Sequence, residues 1–391
     1  RQDGCFLLHT NCADIKVCFV TEEIVRIRVA FDLELAEESY VLATTAWADR
    51  LDGLFEGERT RLTPVDPQVE ESDAAITFAT AAVRLVFHKD PLGFALYNAA
   101  GDLLYSDLAG TPYTLDANRR VTHYSAMQED DCFYGFGEKA GELNKNKRFL
   151  RERATDAMGY DAGRMDTLYK HIPFYIRLNR ATAKAVGVYY NNFYESVFNM
   201  GCEKSNYWSR YTYWQADGGD IDLFLLNGPS VAAVLDRYTQ LTGRSALPTK
   251  QSLGYCASTM YYAELEKDCD QEIYKVIDKH RREGVLIDNF WLASGYTSGE
   301  QDNLRYVFNW NYRRFPDPAG FFAKMNEMGI NVIPNLKPGI LKNHPYMPLF
   351  EKNDVFIKTP DGSGDYYGRW WGGEGRFFDF TGERGRNTWK E

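Results

Sequence analysis

The chain has 391 residues, 44% hydrophobic and 26% charged, and a formal net charge of −10. That length exceeds one ordinary domain, and the composition is that of a globular protein. An acidic balance without a block of Lys or Arg argues against nucleic acid or an anionic membrane surface as partner, since phosphate binding needs clustered cations, and no stretch approaches the roughly 20 uncharged apolar residues of a membrane span.

The first half reads as strand after strand. Val25, Ile27 and Val29 alternate with Arg26 and Arg28, and Val83, Leu85 and Phe87 repeat the period of two expected of half-buried strands. "DPLGFALYNAAGDLLYSD" predicts two strands joined by a turn at Ala100-Gly101-Asp102, and "NKNKR" at 144–148 reads as a solvated loop. "KAVGVYYNN" and "IDLFLLNG" continue the series. Many short strands separated by turns predict an antiparallel β-sandwich over 1–247.

The period changes at Pro248. "QSLGYCAST" predicts a short strand, followed by a helix from about Asp268 to Glu283 with Ile273, Val276, Ile277 and His280 on one face and Gly284 as its stop. "VLIDNFWLAS" is an apolar run of the kind a parallel sheet buries. Asp317 then caps and Pro318 opens a second helix carrying Phe321, Phe322, Met325 and Met328 and ending at Gly329, and "INVIPNLKPG" supplies a third strand. Strand, helix, strand, helix, strand is the rhythm of a parallel sheet or (β/α) barrel, with too few units over 248–391 to close a barrel of eight.

Aromatic residues make up 15% of the chain, with 26 Tyr, 24 Phe and 8 Trp, and their flat faces suit stacking on the C–H faces of sugars. Chemistry in such a barrel gathers at the C-terminal ends of its strands. Here those ends are Ser258 to Tyr262, Leu292 to Tyr296, and Asn335 to Lys337. Hydroxyl, amide, aromatic and cationic groups without a carboxylate predict a cleft for a neutral polyhydroxylated ligand. Lys337, placed after an apolar strand, requires a carboxylate or ligand partner. The seven cysteines form no CxxC pair and the six His show no metal-ligand spacing, so neither a metal nor another cofactor is expected. An odd number of cysteines and no visible signal peptide favour a reducing, cytoplasmic setting, although the chain begins with Arg rather than Met.

"FYGFGEKAGELNKN", "TDAMGYD", "LYKHIPFYI", "GVYYNN", "LTGRSALPTKQSLGY", "NWNYRRFPDP" and "FFDFT" stand in the order found in glycoside hydrolase family 31, and from about Val83 onward the chain resembles that family. The resemblance implies a galactose-mutarotase-like N-terminal sandwich followed by the first part of a (β/α)8 barrel. It also implies retaining, exo-acting double displacement on α-linked sugars such as α-glucosides. Asp156 matches the loop that reaches the sugar, Met260 the position after the first barrel strand, Asn335 and Lys337 the end of the third, and Trp371 an aromatic wall of the sugar site. Both catalytic aspartates are expected beyond the "DFT" segment, so the chain reads as a fragment, inactive alone, and no catalytic residue is assigned within it. Asp379 is read as structural. Where many members carry "WxDIDY", this chain has "WLASGYTS", with Ala293 and Gly295 in place of the two acids, leaving Ser294, Tyr296 and Lys337 to hold the sugar. An α-galactosidase, an α-transglucosylase and a non-catalytic carbohydrate-binding protein stay open as alternatives.

Overall fold

The alternation of Val25, Ile27 and Val29 aims all three into one core, which they share with Leu85, Phe87, Leu96, Phe198 and Trp214. A computed structural model describes the chain except 1–3, 32–37, 49–50, 53–58, Asp156, Met158, Tyr160, 162–167 and Trp371; Thr259 is described by its backbone alone. It divides into two compact units, 1–244 and 245–391.

The first unit is a sandwich of antiparallel sheets. One layer has seven strands in the order Phe6–His9, Asp14–Phe19, Ile24–Ala30, Ile221–Asn227, Lys184–Tyr190, Phe174–Asn179 and Asp131–Gly135. Two five-stranded sheets supply the inner faces opposite. One runs Leu103–Ser106, Gly93–Asn98, Val83–His88, Ala75–Ala79, Gln68–Glu71; the other runs Tyr113–Leu115, Val121–Ala126, Tyr211–Ala216, Ser196–Asn199, Phe149–Glu152. A bridge between Asp107 and Ser125 joins the two.

The strand Ile24–Ala30 is buried at every position, on both faces, where the alternation predicts one solvated face. The second face is covered by the helix Val231–Thr242, whose Val234 and Leu241 pack with Ile24, Phe224 and Leu226. Arg26 and Arg28 therefore lie inside. Arg26 holds Asp222 in a bidentate pair, Nε to Oδ1 and Nη2 to Oδ2, both 2.8 Å, and its guanidinium sits 3.8 Å from the Trp47 ring centre. Arg28 donates to Asp220 at 2.6 and 3.1 Å, and Asn191 donates to Asp222 at 2.8 Å. Burial pushes the Asp222 carboxyl up, but the Arg26 charge and hydrogen bonds, Arg28 and Asn191 reverse this and hold it below the usual carboxylate range.

In the second unit three parallel strands, Cys256–Thr259, Asn289–Leu292 and Asn331–Pro334, lie side by side in that order. The helices Cys269–Arg282 and Pro318–Glu327 connect them. Asp317 accepts from the Gly320 amide at 2.9 Å, and Gly284 and Gly329 take the left-handed conformation just past the two helices (φ 78° and 71°). Phe290 and Leu292 of the middle strand pack with Ile273, Ile277, Phe321 and Met325 of these helices. Val276 is half-buried, and His280 donates its Nδ1 hydrogen to the Val276 carbonyl at 2.8 Å. The opposite face of the sheet is left partly exposed by the described residues. There Ser258, Trp291 and Ile333 stand in register across the three strands, with Trp291 45% and Ile333 37% exposed.

Beyond the third strand lies an element that the sequence pattern did not predict. Gly339–Leu341, Gly373–Phe377 and Gly368–Trp370 form a small antiparallel sheet. With the helices Met347–Lys352 and Glu383–Lys390 it encloses a core of its own around Ile340, Met347, Phe350, Phe356 and Phe378, against which Trp389 packs. Glycine allows the strands to close: a Cβ on Gly375 would stand 2.8 Å from the Ile340 carbonyl oxygen. Glycine-rich runs carry little hydrophobic periodicity, which is why the pairing is silent in the sequence.

Candidate functional site

Parallel pairing brings the three strand ends to one edge of the sheet, because Thr259, Leu292 and Pro334 are register partners. Met260, Ala293 to Tyr296, and Asn335 to Lys337 all emerge there. Each tip then behaves differently.

Met260 is 60% exposed and starts a single helical turn, Tyr261–Ala263, closed by the Ala263 amide donating to the Met260 carbonyl at 3.1 Å. Tyr261, also exposed, meets Tyr262 edge to face. This tip presents exposed apolar and aromatic surface.

The second tip points inward. Ser294–Thr297 forms a tight turn in which all four residues are buried. Tyr296 packs its ring 4.5 Å from that of Trp310, inside the core shared with Phe290 and Phe315, and burial pushes its phenol up to about 12. The physical reason is the close approach of two backbones: a Cβ on Gly295 would stand 2.2 Å from the Ala263 carbonyl oxygen. Only glycine fits the turn in this position. Arg314 pins it from beneath, its Nη1 donating to the Gly295 carbonyl at 2.9 Å and to Ser298 Oγ at 2.7 Å, while Nη2 reaches Asn303 Oδ1 at 3.1 Å. Desolvation lowers the Arg314 pKa. Thus the acids missing from Ala293 and Gly295 are replaced by a buried, backbone-packed turn, and Ser294 and Tyr296, expected on an open rim, sit within the unit's interior.

At the third tip the Asn335 amide donates to the Leu292 carbonyl at 2.9 Å. Its side-chain Oδ1 is buried without a hydrogen-bond partner among the described residues, an acceptor awaiting a donor. Lys337 is half-buried beside it in sequence. Asp156 and Trp371 lie outside the described residues.

Three carboxylates of this unit are occupied by other groups. Glu264 is ion-paired with Arg305. Asp288 precedes the middle strand, at the opposite end of the sheet, and accepts from the Tyr255 amide at 3.1 Å. Asp379 accepts from the Thr381 amide and hydroxyl at 2.9 and 2.5 Å, which fixes a turn. Among the described residues no group of His, Cys, Asp and Glu could hold a metal ion. The residue that the sequence left without a role is Arg314. Its signal was the motif "NWNYRRFPDP", whose Asn311 also donates to Ser298 Oγ at 3.1 Å.

Residues 14–199 match the glycosyl hydrolase 31 N-terminal galactose mutarotase-like domain, and 245–391 match the family 31 TIM-barrel domain. The chain belongs to glycoside hydrolase family 31. The match begins at residue 14, well before the Val83 at which the motifs first become readable. Alpha-glucosidase 2 of Bacillus thermoamyloliquefaciens is 29% identical over 389 residues, covering 99% of this chain and 45% of that protein. Alpha-xylosidase XylQ of Lactiplantibacillus pentosus is 27% identical over 66% of the chain and 31% of its own length. Among solved structures, a Flavobacterium johnsoniae family 31 dextranase complexed with isomaltotriose superposes with a TM-score of 0.80 at 21% identity, over 98% of this chain and 44% of that one. The chain therefore spans less than half the length of these relatives.

Proposed function

We propose that this chain forms the sandwich and first three barrel units of a retaining, exo-acting α-glycosidase whose two catalytic carboxylates lie outside it. The observation that carries the proposal is the exposed face of the parallel sheet. Parallel sheets are covered on both faces, whereas the face that carries the row Ser258, Trp291, Ile333 leaves Trp291 45% and Ile333 37% exposed. Additional β/α units closing a barrel would bury that row. Retaining hydrolysis needs two carboxyls about 5–5.5 Å apart across the scissile bond, one to attack the anomeric carbon and one to protonate the leaving oxygen. Glu264, past the first strand tip, is held by Arg305, and Asp379 by turn hydrogen bonds, which supports placing that pair elsewhere. Within this chain, Asn335, Lys337, Met260, Asp156 and Trp371 would contribute sugar contacts, while Ser294 and Tyr296 support the site from beneath.

The glycine turn at Gly295 favours a second reading of specificity. Without an acid at 293 or 295 the sugar's hydroxyls are read by other groups, so an α-galactoside, or transfer to a second sugar, competes with α-glucoside hydrolysis. The test is a panel of p-nitrophenyl α-sugars presented to the chain alone and to a polypeptide extended through the remaining barrel. The extended protein is expected to turn over at least one α-sugar and the chain alone none. Turnover by residues 1–391 alone, or inactivity of the extended protein on every α-sugar, would refute the proposal. In the active form, Asp156→Ala is expected to lower kcat/KM about tenfold or more, the loss of a charged hydrogen bond.

A further inference from the structure

Far along the sequence from the barrel strands, the turn between the strands Ser196–Asn199 and Tyr211–Ala216 builds a cleft that the glycosidase reading leaves unused. Its cavity is about 560 Å³, within the range that holds a sugar or two. The loop is shaped by its own side chains. Asn199 Oδ1 accepts from the amides of Gly201 and Cys202, both at 3.0 Å, and Ser205 Oγ accepts from those of Tyr207 and Trp208 at 3.0 and 3.1 Å. Gly201 opens the floor: it has φ 80°, and a Cβ there would come within 2.6 Å of Met127 Sδ.

Two properties set this cleft apart. First, its wall is aromatic. Trp208 is 43% exposed and is braced edge-on by Tyr124 and Tyr211, with ring centres 5.7 and 5.5 Å away, and Tyr207 beside it is 93% exposed. Secondly, three cations line it, Lys147, Lys204 and Arg210, and no ion pair of theirs with a carboxylate is formed among the described residues. The one carboxylate, Glu203, already accepts from the Tyr213 and Tyr211 hydroxyls at 2.8 and 3.2 Å. In a chain of net charge −10 an unpaired cationic cluster against an exposed indole calls for an anion with a flat apolar face.

We propose that this cleft is a carbohydrate site that binds sugars bearing a carboxylate, such as a uronate within an oligosaccharide. Trp208 stacks on the ring's C–H face. Arg210, whose planar fork matches a carboxylate, and the two lysines take the charge. Glu203, with acceptor capacity beyond its two tyrosines, receives a sugar hydroxyl. That same carboxylate disfavours a polyphosphate, which distinguishes a singly charged sugar from a nucleotide.

The experiment needs no glycosidase activity, so its outcome is independent of the catalytic reading. Residues 1–391 are titrated with a trigalacturonate, with isomaltotriose and with ATP, followed by calorimetry and tryptophan fluorescence. Trigalacturonate is expected to bind at least about tenfold more tightly than isomaltotriose, an advantage that shrinks as salt screens the cations. Trp208→Ala and Arg210→Ala are each expected to weaken it about tenfold, with circular dichroism unchanged; Lys204→Ala serves as the milder variant if either misfolds. Equal affinity for the neutral sugar, tighter binding of ATP, or no binding of trigalacturonate would each overturn the proposal.

Discussion

Asp222→Asn tests whether the buried charges beneath the seven-stranded sheet hold the sandwich together. The carboxylate is 2% exposed and receives two hydrogen bonds from Arg26 and one from Asn191, each 2.8 Å, with Arg28 Nε a further 3.8 Å away. The amide keeps the shape but removes the charge and turns a donor toward Arg26. Breaking a buried pair from one side costs about 3–5 kcal/mol, because the abandoned guanidinium stays desolvated. At about 3 kcal/mol per molar urea that is a midpoint shift of roughly 1–1.7 M. The readout is urea-dependent hydrogen exchange of the peptide spanning Ile221–Asn227, which reports this sheet rather than the whole chain. A pH arm accompanies it. A carboxyl held below its ordinary range stabilises the fold above the unfolded value near 4, and that stabilisation is lost as the pH falls through the depressed folded value. The wild type should therefore lose more stability than the variant as the pH falls below about 4. A loss below about 1 kcal/mol, or identical acid profiles, would show that the cluster is spectator charge.

Tyr296 separates an interior role from a rim role at the second strand tip. Tyr296→Ala should cost about 3–5 kcal/mol in thermal or urea unfolding, like other large aromatic truncations, whereas Tyr296→Phe should change neither stability by more than about 1 kcal/mol nor, in the extended enzyme, the KM for any sugar; a raised KM in the phenylalanine variant would return the hydroxyl to the sugar. Native-state alkylation should label Cys12 and Cys202 first, with Cys202 accelerating as the pH rises, since burial and the Glu203 carboxylate push its thiol up. Cys18, buried and hydrogen-bonded to Cys5, should react only on unfolding, which peptide mapping would check.

What was legible in the sequence was what local chemistry controls. Asp317 with Pro318, Gly284 and Gly329 each mark a helix boundary through their own backbone, and the helices stand where those residues put them. The alternation of Val25, Ile27 and Val29 named a buried face for the same reason. The burial of Arg26 was not legible because its partner Asp222 lies 196 residues away, and a strand's second face is covered or bare according to what returns to it. At the candidate site, the three strand tips could be located from the βαβ rhythm, but not their directions. Ser294 and Tyr296 turn inward because of contacts between Gly295 and Ala263 and between Arg314 and Ser298, all tertiary.

The contact at Gly295 also bears on how such a sequence can change over generations. A side chain at 295 would collide with the carbonyl of the neighbouring turn, a backbone atom that cannot rotate aside. An acid at that position therefore requires the turn after the first strand to shift beforehand. Ala293, which has an ordinary extended backbone (φ −63°, ψ 152°), carries no such obstacle. Selection for a carboxylate at this edge would find 293 open and 295 entrenched, so the order in which acidic residues could be introduced is written into the spacing of two backbones.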